Sequence, residues 1–211
     1  MTITEPVTML TDYALAGISL FFSARLFREG RLHRQTSVLL WAAALAVTAS
    51  ASICGGSYHG FVAHLSDLTR FALWKATVYS LGLMSLLMLS SVIVAAVRRP
   101  LRDWLLAASA LDFVVYAAWM TTHNDFRYVI YDYAPAMVGV LLLQVWAVYR
   151  RSNASAFWIV AGVLVSFVAA GVQQSGFNLH ENFNHNDLYH VIQLVALYLF
   201  YRGGLLLQDQ R

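Results

Sequence analysis

Two stretches of this chain carry side chains that could hold a metal ion. The first is ASASICGGSYH, which ends at His59. The second is HENFNHNDLYH, residues 180–190, with three histidines, two acids and three asparagines. A neutral imidazole binds zinc through one ring nitrogen, and a carboxylate often fixes its tautomer through the other. Zinc takes three or four such ligands, and a catalytic site keeps one position for water. His59 and His190 are therefore the candidate metal ligands, with His185, Asn186 or Asp187 completing the shell. The chemistry on offer is hydrolysis by a metal-bound water, whose pKa falls to about 7.

Helical spacing narrows the choice. Asn186, His190 and Gln193 stand four and three residues apart and share a face. Asp187 lies one turn before His190. Ser52 and His59, seven apart, also share a face, and Gly55 and Gly56 between them permit close approach of a neighbouring helix. His64 lies about 140° around the helix from His59 and belongs to the interface instead. His123, His180 and Glu181 read as loop residues.

These residues need helices to position them, and the composition says of what kind. The 211 residues are 59% hydrophobic and 12% charged, whereas soluble domains average about 25% charged. The predicted fold is all-α: one polytopic domain over residues 1–211, with seven transmembrane helices in a single bundle. An apolar run of about 20 residues spans a bilayer core. Seven such runs are read at 8–27, 36–64, 71–97, 101–122, 127–149, 155–175 and 187–207. Pro135 falls inside the fifth and should kink it.

Charge orients the bundle. Thirteen of the fourteen basic residues are arginine. They concentrate in loop 1–2 (Arg25, Arg28, Arg31, Arg34), loop 3–4 (Arg98, Arg99, Arg102), loop 5–6 (Arg150, Arg151) and the tail (Arg202, Arg211). The positive-inside rule makes those loops cytoplasmic, the N-terminus external and the C-terminus internal. The sequon at Asn153 then faces the cytoplasm and carries no glycan. Six of the seven histidines, with Asp12, Asp67, Asp125, Asp132, Glu181 and Asp187, fall on the outer side. The arginine excess points to a bacterial inner membrane. No basic aromatic patch argues for nucleic acid, and the single cysteine, Cys54, allows no internal disulfide.

Other polar residues lie within the spans, where an ionisable group costs about 3 kcal/mol on insertion scales. Lys75 and Asp132 are expected to pair, or Lys75 to snorkel. Asp112, deep in span four, is expected to be neutral or hydrogen-bonded to a neighbour. Gln193 continues the polar face of span seven.

The layout resembles the superfamily of seven-helix membrane hydrolases that includes alkaline ceramidases and adiponectin and progestin receptors. There, Ser-x3-His ends span two, an acid lies near span three, and His-x3-His opens span seven. His59 and His190 match two of the histidines. Gly55 stands at the serine position, Asn186 at the first span-seven histidine, and the acid falls near Asp67 or Arg70. His-x4-His (His185, His190) and Ser52 or Ser57 are the available substitutes. The resemblance implies zinc, membrane lipids as partners, and a lipid amide or ester as substrate. The competing reading is a non-catalytic sensor, ligand-binding or accessory protein with an outer polar pocket. Haem held by His59 and His190, and a transporter built on Asp112, Asp132 and Lys75, are lesser alternatives. The absence of lysine from span seven excludes a retinal Schiff base.

Overall fold

A computed structural model describes residues 2–151, 154–181 and 183–210. Among them are seven α-helices: α1 (Pro6–Leu32), α2 (Thr36–Phe61), α3 (Asp67–Ala96), α4 (Leu101–Thr122), α5 (Arg127–Arg151), α6 (Ala154–Ser175) and α7 (His185–Gly204). One 3-10 turn, Val62–His64, extends α2. Six helices, α1 to α6, are long and apolar enough to cross a membrane. The seventh is diluted by His185, Asn186, Asp187, His190 and Gln193, yet it buries Ala196, Leu197 and Phe200 in the bundle. The sequon at Asn153 and the terminal Arg211 lie outside the described residues.

The helix limits follow local signals. Pro6, whose missing N–H costs nothing in a first turn, opens α1. Ser66 accepts from the Thr69 N–H to cap α3. Asn184 and Asp187 form a reciprocal capping box on α7, which starts the helix two residues earlier than the apolar run alone predicts. At the end of α6, Gly176 adopts the left-handed conformation (φ 66°) that glycine takes without a Cβ clash. Pro135 lies inside an α5 that continues through it.

Spatial order departs from chain order at one place. Helices α1, α2, α3, α5, α6 and α7 form a closed ring in which α7 returns to α1, while α4 packs on α3 from outside. Helix α4 buries only Tyr116 and Met120 and exposes Leu111, Val114 and Val115. The core is drawn from the ring helices, around the fully buried Trp41. The Trp41 indole donates to the Phe200 carbonyl at 2.9 Å, tying α2 to α7.

Small residues bring α1 and α2 together, as the Gly55–Gly56 pair predicts. A Cβ on Gly56 would stand 2.9 Å from Asp12 Cβ and 3.0 Å from a Tyr13 ring carbon. At the opposite end of the bundle the C-terminal tail folds back. The Asp209 carboxylate accepts from the backbone N–H groups of Thr36 (2.7 Å) and Ser37 (2.8 Å) and from the Ser37 hydroxyl (2.7 Å). Helix α2 thus receives its N-terminal cap from a residue more than 170 positions away.

Candidate functional site

The first turns of α1 and α7, the first and last helices, meet at one end of the bundle. The first two turns of α1 carry Thr8, Thr11 and Asp12, and the first turns of α7 carry Asp187 and His190. Thr8 donates to Asp187 Oδ1 at 2.7 Å. Asp187 Oδ2 also accepts from the Asn184 N–H at 2.7 Å. Asp187 is 1% exposed, so it both caps α7 and anchors it to α1.

His190 sits between two α1 side chains. Its Nδ1 lies 2.9 Å from the Thr11 hydroxyl, and its Nε2 lies 3.4 Å from Asp12 Oδ1. The Thr11 hydroxyl has one hydrogen and two acceptors within reach, the Thr8 carbonyl at 3.0 Å and His190 Nδ1. If it donates to the carbonyl, Nδ1 carries the imidazole proton and Nε2 presents a lone pair to Asp12; if it donates to Nδ1, Nε2–H faces Asp12. In both cases the 3.4 Å separation lies beyond the usual 2.7–3.2 Å of an N–H···O bond. Asp12 Oδ2, packed against Gly55, is buried and has no hydrogen-bond partner. The Asp12 carboxylate is thus buried with one oxygen unpartnered and the other met only at 3.4 Å.

His59 approaches from α2. Its Nδ1 pairs with Glu5, the residue that precedes α1, at 3.0 Å, and its side chain stays 31% exposed. Two carboxylate–imidazole pairs thus stand at this end of the bundle, Glu5 with His59 and Asp12 with His190, and Thr8 joins Asp187 to α1 beside the second.

The remaining predicted ligands go elsewhere. His185 Nδ1 and its backbone N–H both lie 3.1 Å from Asn178 Oδ1, in the loop before α7. Asn186 accepts from Gln173 of α6 at 3.3 Å. Gln193 accepts from Ser166 of α6 at 3.1 Å and donates to Tyr189. The polar face expected over Asn186, His190 and Gln193 therefore divides: its two ends serve α6 and its middle serves α1. Asp67, the acid nearest the resemblance's third position, points away with a side chain 99% exposed. The carboxylate beside His190 is instead Asp12. Ser57 is likewise committed, donating to the Ile53 carbonyl and meeting Tyr13 at 3.1 Å.

Lys75 neither pairs with Asp132 nor snorkels. It is 8% exposed, and its ammonium donates to the carbonyls of Met120 and His123 at the end of α4. Those carbonyls carry the negative end of the helix dipole, which favours a cation there. Asp132 and Asp112 line a small cavity with Ser85 and Ser109 between α3, α4 and α5.

Zinc needs at least three protein donors. Asp12 and His190 stand at the separation of two ligands on one ion, but His59 is turned to Glu5. Among the described residues no three His, Cys, Asp or Glu side chains form a group that could hold a metal ion. As arranged, these residues do not fit a zinc centre.

The family described as being of unknown function, DUF6962, matches residues 7–209, from the second residue of α1 to beyond the end of α7. The chain belongs to that family. No curated protein and no solved structure matches it. The match covers every residue of the α1–α7 junction from Thr8 to His190, so the junction lies within the family's extent.

Helical spacing alone misses Thr8, Thr11 and Glu5. Asp12 is visible in the sequence as an acid within an apolar run, and that was the available signal.

Proposed function

We propose that this is a multi-pass membrane protein, N-terminus outside, that binds a small cationic or hydrogen-bond-donating ligand at the α1–α7 junction. The bound group is best matched by a protonated amine. The observation that carries this is the under-satisfied Asp12 carboxylate, whose Oδ2 has no hydrogen-bond partner and whose Oδ1 lies 3.4 Å from His190 Nε2, in a site where both side chains are under 10% exposed. Buried acceptors without a donor are costly, and a charged donor placed between them removes that cost. Glu5 and Asp187 add negative charge that favours a cation. The protein so read is a sensor, ligand-binding or accessory subunit rather than an enzyme.

The second reading is a zinc-dependent hydrolase of a lipid amide or ester. Its support is the same 3.4 Å separation, which equals that of two ligands each about 2 Å from a tetrahedral ion. It requires His59 to leave Glu5. Elemental analysis of the full-length purified protein separates the two. Ligand binding without metal predicts far less than one zinc per chain. One zinc per chain, lost in both His59→Ala and His190→Ala, would overturn it in favour of the hydrolase.

A further inference from the structure

A second site lies apart from the α1–α7 junction, at the same end of the bundle. A cleft of about 340 Å³ opens between α2, α3 and the loop that joins α4 to α5. It is lined by Tyr58, Arg70, Phe71, Trp74 and Asn124. Its volume falls in the usual range for small-molecule sites, about 300–1,000 Å³.

Arg70 is unusual among the cations here. Lys75 is committed to the α4 carbonyls. Arg127 is committed to Asp125 through Nε at 2.6 Å, and its hydrogen bonds hold that carboxyl below the usual carboxylate range. Arg70 Nε is buried with no hydrogen-bond partner. Among the described residues its one ion pair is at 3.4 Å, from Nη1 to the fully exposed Asp67, and exposed pairs of this kind contribute about 0–1 kcal/mol. The guanidinium therefore faces the cleft with donors to spare, and the Lys75 ammonium, 5.3 Å from the Phe71 ring centre, adds positive potential. The walls are aromatic: Trp74 lies 6.2 Å from Tyr58 and 6.1 Å from Phe126, centre to centre. Tryptophan and tyrosine at a helix end sit at headgroup level, and a planar guanidinium is suited to two oxygens of a phosphate.

We propose that this cleft binds the phosphate of an anionic lipid headgroup, with Arg70 as its anchor and Tyr58, Phe71 and Trp74 against the glycerol and first chain carbons. This does not depend on what the α1–α7 junction binds.

The test is thermal unfolding of the full-length protein in neutral detergent, titrated with dihexanoyl phosphatidylglycerol. Dihexanoyl phosphatidylcholine and inorganic phosphate serve as comparisons. A saturable rise in Tm is expected with the phosphatidylglycerol alone. Arg70→Gln should weaken that effect about tenfold or more, as loss of a charge-assisted hydrogen bond does. Asn124→Asp, at an exposed position, should weaken it similarly by placing a like charge in the cleft, and it decides the matter if Arg70→Gln does not fold. Equal shifts with both lipids, no shift with either, or wild-type affinity in the variants would overturn the proposal. A full effect from inorganic phosphate would overturn the lipid as its source.

Discussion

The Asp12 carboxylate is buried without a full set of donors, and that has a direct consequence for substitution. An asparagine at position 12 would place an N–H₂ group opposite His190 Nε2 and remove a buried charge. Asp12→Asn is therefore expected to leave the protein at least as stable as the wild type, and up to about 1–3 kcal/mol more so. His190→Ala opens a cavity at a buried position and removes the partner of Thr11, and should cost about 1–3 kcal/mol. Thermal unfolding of both variants in detergent checks the pair. A strongly destabilised Asp12→Asn would mean that a proton already joins the two side chains and that the site needs no external donor. His59 and His190 were visible in the sequence because histidine is rare in apolar runs. Thr8 and Thr11 were not, because a threonine in a membrane helix ordinarily donates to its own backbone. Thr11 has such a carbonyl within reach, and only the arrival of α7 gives its hydroxyl a second partner.

The elements carry two further expectations. Gly56 lets α1 approach α2, since a methyl there would meet Asp12 Cβ at 2.9 Å. Gly56→Ala should cost about 1–3 kcal/mol through overpacking. At Gly17 nothing lies within 4 Å of an added methyl, so Gly17→Ala should be neutral or stabilising by up to about 1 kcal/mol. Comparing the two by chemical or thermal unfolding isolates packing from helix propensity. At the other end, Asp209 caps α2. Burial pushes its carboxyl up, but the hydrogen bonds from Ser37 and Thr36 outweigh that and hold it below the ordinary range. A carboxyl with a depressed folded pKa stabilises above its unfolded value, about 4. That contribution disappears as the pH falls through the lower folded value. Asp209→Ala should therefore cost about 0.5–2 kcal/mol at pH 7, as loss of an N-cap does, and the difference from wild type should shrink below pH 4. An undiminished difference at low pH would contradict the capping role.

For the whole molecule, the lengths of apolar runs were enough to place seven helices, and α4 matches its predicted limits of 101–122 to the residue. Helical period tells which residues share a face, but not which helix that face meets. The stripe on α7 was legible; that its ends would meet α6 and its middle α1 was not. Nor could the sequence show that α4 stands outside the ring or that the first and last helices close it, bringing together side chains 179 positions apart. The proposed ligand site depends on that closure, since Asp12 and His190 belong to opposite ends of the chain. Its most direct test is thermal unfolding of the full-length protein titrated with hexylamine, with hexanol as the uncharged counterpart. Binding between Asp12 and His190 predicts a saturable rise in Tm with the amine, absent with the alcohol and lost in Asp12→Asn. An equal response to both compounds, or an unchanged response in Asp12→Asn, would contradict it.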